Sequence, residues 1–544
     1  MKRFSKSRYT TFCQCPKALW LRTYKPEEAE VDEALEARFE QGNVVGDLAM
    51  GLFGDFKEVT VKNTDGSLDL TKMIELTRQY MDEGVENICE ASFNYEGNYC
   101  AVDILRKERG GWAIYEVKST SFPLFNEKQT KLEKYAPDIA YQKWVLEKCG
   151  INVTGTYLVC LNSDYVRQGD LDIQQLFVTK DMKELVSNEY LKVPARVSQA
   201  MKVINDETEP DLDLSERCNT PYKCAFFDYC KRQHGVPTPS VFDVYGGSFK
   251  SKGEDRFFIT RKLELYHAGK MSFEDLKNEP LGHVQRLQVE GREYIDKKGI
   301  REFLSTLSYP LYFLDFETMQ DVVPKYDGAK VYTQITFQYS LHIKRNESAP
   351  YDHRPFLAPN DGSDPRRSLA EHLCQNIPMG VCTLAYNMKF ERGRIHELAE
   401  LYPDLREHLL DIESNIKDLL DPFQAGYYYL PAMGGSFSIK SVLPALFPGD
   451  PELDYHNLDE RVQNGGDAMT IFPKLTVMRE QLPKLGVQEM EDGRLVLSDS
   501  LMKLSDIRAI QQEIDAGRKA LLEYCKLDTW AMVKVWQKLK EVAD

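Results

Sequence analysis

The chain has 544 residues, 42% of them apolar and 28% charged, which at about 150 residues per domain gives roughly three or four domains and excludes a single small binding module. The same composition excludes wholesale disorder, and the longest apolar runs, such as Leu311–Leu314, fall far short of a bilayer span, so no membrane association is expected. A formal charge of −16, from 69 basic and 85 acidic residues, excludes a strong non-specific grip on duplex DNA while leaving room for a local basic channel.

The opening, Met1-Lys2-Arg3-Phe4-Ser5-Lys6, is basic without a following hydrophobic stretch. No secretory signal is expected, and the chain is expected in the cytoplasm. There the twelve cysteines are expected as reduced thiols, so a cluster of them points to metal rather than to disulfides. Nine of them fall within the first 235 residues. Cys15 stands near the start, with Cys13 competing for the same role, and Cys218, Cys224 and Cys230 form a C-x5-C-x5-C run.

Between these ends, Ala101–Leu105 and Trp112–Lys118 read as two strands joined around Gly110-Gly111. A hairpin centred on Arg109-Gly110 places Asp103 opposite Glu116, and facing residues of an antiparallel pair project from the same side. Lys118, two residues beyond Glu116, joins them. The two carboxylates can hold a divalent ion, and the ammonium can position water or stabilise charge on phosphate. Gln142 follows on a predicted helix.

This set resembles the RecB-like branch of the PD-(D/E)XK nucleases, especially the CRISPR-associated iron–sulfur exonucleases and the iron–sulfur nuclease of bacterial recombination helicases. The resemblance implies a DNA-cleaving site built on Asp103, Glu116 and Lys118, with Gln142 supporting either the substrate or the residues that hold the metal. It also implies a 4Fe–4S cluster on Cys15, Cys218, Cys224 and Cys230 that pins the two ends of the domain together, with zinc on the same sulfurs as the alternative. The histidine that this branch carries upstream has no counterpart in Gly42-Asn43-Val44-Val45-Gly46.

Breakers at Gly235–Ser240 and Gly246–Ser248 end this segment, and residues 256–305 look helical in part. The expected division is a nuclease domain at 1–235, a linker and helical connector at 236–305, and an α/β domain at 306–544. The last begins with an apolar strand that ends in carboxylates, Leu311-Tyr312-Phe313-Leu314-Asp315-Phe316-Glu317. Asp315 and Glu317, two apart, point to one face and repel each other unless a cation sits between them. Asn387 to Glu391 follows a second apolar run and enters a helical pattern. Tyr524 and Asp528, four apart on a helix running to about Lys540, share a face. Acids from three separated segments suit a two-metal phosphodiesterase, in which Mg²⁺ or Mn²⁺ ions about 4 Å apart clamp the attacking water and the leaving oxygen.

Asp315/Glu317, Asn387 to Glu391 and Tyr524/Asp528 resemble the three motifs of the DEDD 3′–5′ exonucleases of the RNase H-like fold, in their tyrosine subtype. By that resemblance Tyr524 orients the attacking water and Asp315, Glu317, Glu391 and Asp528 bind the metals. The second motif ordinarily supplies aspartate, so either Glu391 or Asp418 completes the set. Tyr427-Tyr428-Tyr429 and the glycines that follow could stack bases but read more readily as core and turn, and Lys440 is a candidate phosphate contact. The fusion as a whole resembles an uncharacterised bacterial domain-of-unknown-function family with a RecB-like front and a DEDD exonuclease back.

The expected function is therefore a metal-dependent nuclease acting on nucleic acid, chiefly single-stranded DNA or DNA ends, with a C-terminal 3′–5′ exonuclease site and a second, N-terminal cleaving site. The alternatives are a single-site exonuclease whose front half is a structural DNA-binding module, and a non-catalytic nucleic-acid-binding scaffold.

Overall fold

In a computed structural model of the chain, the described residues are 4–30, 35–125, 129–247, 256–482, 487–489, 495–497 and 504–544. They form a mixed α/β protein with several sheets, and no helix among them is long and apolar enough to cross a membrane. Contacts divide the chain into two units, Met1–Pro237 with Asp321–Thr333, and Thr238–Gln320 with Gln334–Asp544.

The first unit is built on a seven-stranded sheet of β1 (Phe4–Ser5), β2 (Lys57–Glu58), β3 (Asn87–Tyr95), β4 (Asn98–Glu108), β5 (Gly111–Phe122), β6 (Val153–Asn162) and β7 (Phe177–Asp181). Strands β2 to β7 lie in sequence order, and β1 pairs in parallel with the start of β4 through Phe4 and Asn98. The β4–β5 hairpin turns on Arg109-Gly110, with Gly110 at φ +89°, a conformation that glycine adopts without steric cost. Its ladder pairs Glu108 with Gly111 and runs back to Ile104 with Tyr115. The helix Ala136–Lys148 then crosses over from β5 to the parallel strand β6.

Apolar side chains cover both faces of this sheet. Val102, Ile114 and Leu158 pack with Ile139 and Tyr141 of the crossover helix, while Ile104, Tyr115 and Val117 pack with Val45, Ala49, Val322 and Val331. A sheet covered on both sides shows little alternation in sequence, which is why both hairpin strands extend beyond the residues their pattern marked. Residues 321–333 join two strands of the second unit yet are held in the first. Arg167 Nη1 donates to Pro324 O at 2.9 Å, Gly169 N donates to Asp327 Oδ1 at 2.8 Å, and Tyr332 OH donates to Ser119 O.

The second unit holds a six-stranded sheet of β9 (Leu311–Gln320), β10 (Gln334–Lys344), β11 (Tyr351–His353), β12 (Phe356–Leu357), β13 (Cys382–Ala385) and β14 (Ile416–Asp418), in the order β11-β10-β9-β13-β14 with β12 beside β10. Strand β8 (Tyr294–Ile295) pairs separately with β15 (Tyr428–Tyr429). The pairs β9–β13 and β13–β14 are parallel, and β9–β10 is antiparallel. On one face of β9, Tyr312, Leu314 and Phe316 pack with Leu369 and Ile395. On the other, Leu311 and Phe313 pack with Ala531, Val535 and Trp536 of the helix Leu504–Ala543. Asp315 and Glu317 continue that second, odd-numbered face. The stretch expected as connector contributes the helices Ile259–His267, His283–Glu290 and Lys297–Leu304, and its Leu287 and Ile300 are buried in the core of this unit. Tyr428 and Tyr429 are core residues too.

Candidate functional site

Two sets of acids stand out, one in each unit. In the second unit, Asp315 and Glu317 sit opposite Ser340 and Gln338 of β10. After β13 the chain turns through Asn387, at φ +67°, into the helix Lys389–Leu401, whose first turn carries Glu391. Asp418 fixes this turn. Its carboxylate accepts the backbone N–H groups of Asn387 at 2.8 Å, Met388 at 3.1 Å and Leu420 at 3.0 Å. Both of its oxygens are thus occupied by backbone, whereas Glu391 is buried with its Oε2 unpartnered and its charge acting on Asp315 and Glu317. Of the two candidates for the second acid, Glu391 faces the set and Asp418 holds the turn that presents it.

The helix Leu504–Ala543 supplies Tyr524, Cys525 and Asp528. One ligand atom each from Asp315, Glu317 and Cys525 lies within 4.8 Å of the others. Tyr455 OH donates to Asp528 Oδ1 at 2.5 Å, and its ring lies 5.9 Å from that of Tyr524. The helix Gly465–Gln481 begins against this group, since a Cβ on Gly465 would stand 3.9 Å from both Glu317 Oε2 and the Tyr524 hydroxyl.

All four acids are pushed toward protonation. Burial raises Asp315, and the charges of Asp528, Glu317 and Glu391 raise it further. Burial and the Asp528 charge do the same to Glu317, against the Lys440 ammonium. Burial takes Glu391 up to about 8. It takes Asp528 up to about 6, with the hydroxyls of Tyr455 and Tyr524 and the charge of Lys440 holding it back. Buried carboxylates that repel one another are short of positive charge, and a divalent cation among them reverses each shift.

In the first unit, Asp103 and Glu116 occupy the position after the last ladder pair, Ile104 with Tyr115, and Asp103 Oδ2 accepts Val117 N at 2.7 Å. Glu90 falls between the pairs Cys89–Ile104 and Ala91–Val102, opposite Asp103, at φ +56°. Three acids therefore stand in a row across β3, β4 and β5. Asp138 and Gln142, one turn apart on the crossover helix, close over them. Gln142 Nε2 donates to Glu116 Oε2 at 2.7 Å and to Asp138 Oδ1 at 3.2 Å, while its own Oε1 is buried without a partner.

Two ammonium groups complete the set. Lys118 donates to Glu116 Oε1, and to Asp138 Oδ2 at 3.0 Å; Lys6 donates to both oxygens of Glu116, at 2.9 and 3.0 Å. Burial works against both cations, but the surrounding carboxylates outweigh it and hold them charged. Burial would likewise raise Glu116, yet Lys118 and Lys6 pull it well below the ordinary glutamate value. Asp103, raised by burial and by Glu116, sits at about 6, and Glu90, raised by burial and by Asp103, at about 7.

The four cysteines come from both ends of the same unit. Cys15 lies between the helices Lys6–Gln14 and Pro16–Tyr24. Cys224 N donates to Cys218 O at 2.8 Å, and Cys230 lies on the helix Phe227–Gln233. Gln14 Nε2 ties the ends together by donating to Arg217 O at 3.1 Å and Tyr222 O at 2.7 Å. Burial raises the thiols of Cys218, Cys224 and Cys230, the last to about 12, and the charge of Cys15 adds to each shift. Cys13 faces elsewhere, its Sγ accepting from Arg196 Nη1 at 3.7 Å. Among the described residues no three of the cysteine sulfurs lie within 4.8 Å of one another. A tetrahedral zinc with bonds of about 2.3 Å needs sulfurs about 3.8 Å apart, whereas a four-iron cluster, each thiolate on a different iron, spaces them wider.

Residues 312–438 match the family model of DUF2779, a domain of unknown function. The match covers Asp315, Glu317, Glu391 and Asp418 and stops short of Tyr524 and Asp528. No curated protein matches the chain.

Lys6, Glu90, Asp138, Tyr455 and Cys525 were not anticipated. Asp138 carried a signal, being four residues before Gln142 and so on the same helix face. Glu90 left only the trace of an acid inside an apolar strand. Lys6 and Tyr455 reach their sites through tertiary packing, and no spacing in the chain announces them.

Proposed function

We propose that the chain is a metal-dependent nuclease with two phosphodiester-cleaving centres. The C-terminal centre removes nucleotides from 3′ ends, and the N-terminal centre cuts DNA. The observation that carries this reading is the convergence of Asp315, Glu317, Glu391 and Asp528 from β9 and two separate helices into one set that, among the described residues, no ammonium or guanidinium group donates to. Oxygen donors of this kind suit Mg²⁺ or Mn²⁺, which when bound would activate water and stabilise the leaving oxygen. The strand order of the second unit, an antiparallel β10 beside β9 and two parallel strands beyond, supports the RNase H-like assignment. Tyr524, within reach of both Glu317 and Asp528, would orient the attacking water, and Lys440 would meet the phosphate.

In the N-terminal centre Asp103 and Glu116 would hold metal beside Lys118, with Gln142 keeping Glu116 in place. The four cysteines, drawn from both ends of the unit and acting on one another's thiols, would carry a 4Fe–4S cluster, with zinc on the same sulfurs as the alternative. Anaerobic purification followed by absorption and metal analysis decides this last point. A broad band near about 400 nm with iron present is expected, and stoichiometric zinc without iron overturns the cluster.

The nuclease reading is tested on end-labelled single strands with Mg²⁺ or Mn²⁺. Shortening from the 3′ end is expected, and its persistence at full rate in an Asp103→Ala/Asp315→Ala chain overturns the reading.

A further inference from the structure

The N-terminal acids are gripped by a lysine that the PD-(D/E)XK pattern does not include. Lys6 opens the helix Lys6–Gln14, directly after the short strand β1 that docks on Asn98 and Tyr99. That docking brings its Nζ to 2.9 and 3.0 Å from the two oxygens of Glu116, 3.9 Å from Asp103 Oδ1 and 3.8 Å from Asp138 Oδ1. A positive group held by both oxygens of one carboxylate and within 4 Å of two others stands as a bridging cation stands. Lys118 supplies a second positive charge between Glu116 and Asp138. Counted as ionised, Glu90, Asp103, Glu116 and Asp138 against Lys6 and Lys118 leave two negative charges, the complement of a single divalent ion. The less compensated side is Glu90 with Asp103, since both lysines donate to Glu116 while Lys6 stands 3.9 Å from Asp103.

We propose that Lys6 is a resident cation of the N-terminal site, standing beside Glu116 where a second metal ion would bind, so that the site takes one divalent ion on its Glu90–Asp103 side. The inference rests on the reading of these acids as a metal centre. It distinguishes this centre from the C-terminal one, whose acids receive no lysine hydrogen bond among the described residues and are expected to take two ions.

The test counts Mn²⁺ by electron paramagnetic resonance on the full chain, anaerobically purified, with the C-terminal set disabled by Asp315→Ala/Asp528→Ala. In that background one tightly bound Mn²⁺ is expected. Lys6→Met is expected to admit a second, and Lys6→Arg, which keeps the charge, to hold the count at one. Two ions in the chain that retains Lys6, or one ion of unchanged affinity in Lys6→Met, overturns the role of Lys6 and leaves the metal centre standing. Absence of bound Mn²⁺ from all three overturns the metal centre itself and the proposal with it. The count in the Lys6-bearing chain decides by itself, so a Lys6→Met variant that fails to fold does not shield the proposal.

Discussion

The two acid sets hold four carboxylates each and differ in what answers them. In the first unit Lys6 and Lys118 reach into the set and donate directly to Glu116. In the second, Lys440 acts on Glu317 and Asp528 without donating to either, and every acid is pushed toward protonation. A carboxylate cluster is tolerable only if something pairs with it. One set is half-neutralised by lysines of the fold, and the other keeps its carboxylates raised. The C-terminal site should therefore respond more steeply to metal and to pH.

The largest effect expected from this difference is on turnover. If the C-terminal set holds two ions as proposed, losing one of its acids would weaken their hold, so Asp315→Ala should slow release of 3′-terminal nucleotides by at least about a hundredfold. Asp103→Ala should leave that release intact while abolishing internal cleavage of DNA. Following both substrates on both variants separates the centres. Loss of both activities in either single variant would merge them into one site and end the comparison.

Stability without metal gives the second test. Glu391 and Asp528, raised to about 8 and about 6, keep protons in the folded state that the unfolded chain has given up. The folded state binds more protons from about pH 4, where unfolded carboxyls ionise, up to about pH 8, so stability falls as pH rises through that window. In the first unit two acids of the set, Asp103 and Glu90, at about 6 and about 7, hold protons within this window, against four in the second, and the lowered Glu116 acts at more acid pH, so the slope is smaller. Thermal melts in chelator across this range should show the decline, Mn²⁺ should restore more at pH 8 than at pH 5, and Asp315→Asn/Asp528→Asn should flatten the curve. A flat curve in the unmodified chain would mean that the second set is already compensated.

These sites were legible to unequal degrees. Wherever one regular element sets the geometry, the sequence sufficed. A two-residue turn at Arg109-Gly110 put Asp103 against Glu116, strand alternation put Asp315 with Glu317, and helical spacing put Tyr524 with Asp528. What stayed hidden depends on irregular backbone or on distant packing. Glu90 reaches Asp103 only because its own φ of +56° interrupts the β3–β4 ladder. Tyr455 arrives on a single turn, Tyr455–Asn457, with no periodic pattern. The choice between Glu391 and Asp418 needed the fold, because both are acids beside apolar strands and only the folded chain brings the backbone amides of the turn onto one of them, Asp418.

That choice yields a smaller prediction. Asp418→Ala strips the acceptor from three backbone N–H groups at the turn that presents Glu391, and should cost about 3 kcal/mol of stability by denaturant titration, given about 1–3 kcal/mol for a buried unsatisfied donor. Asp418→Asn, which keeps one acceptor oxygen, should cost less. Equal losses in the two variants would point to the charge of Asp418 rather than its acceptor geometry, and would bring it back as a candidate ligand.

Tyr455 sharpens the comparison at its finest point, because it does for Asp528 by hydrogen bonding what lysines do for Glu116 by charge. Its hydroxyl, 2.5 Å from Asp528 Oδ1, favours the ionised carboxylate and works against the burial that has already raised it to about 6. Tyr455→Phe removes that help, so Asp528 moves further up and is protonated over a wider part of the neutral range. Mn²⁺ affinity should then fall severalfold near pH 6.5. Near pH 9, where Asp528 is ionised in both forms, the difference should vanish or change sign, since the missing hydroxyl no longer competes with the ion for Oδ1. A loss of affinity that is the same at both pH values would instead mean that Tyr455 holds the loop in place and leaves the ionisation of Asp528 unchanged.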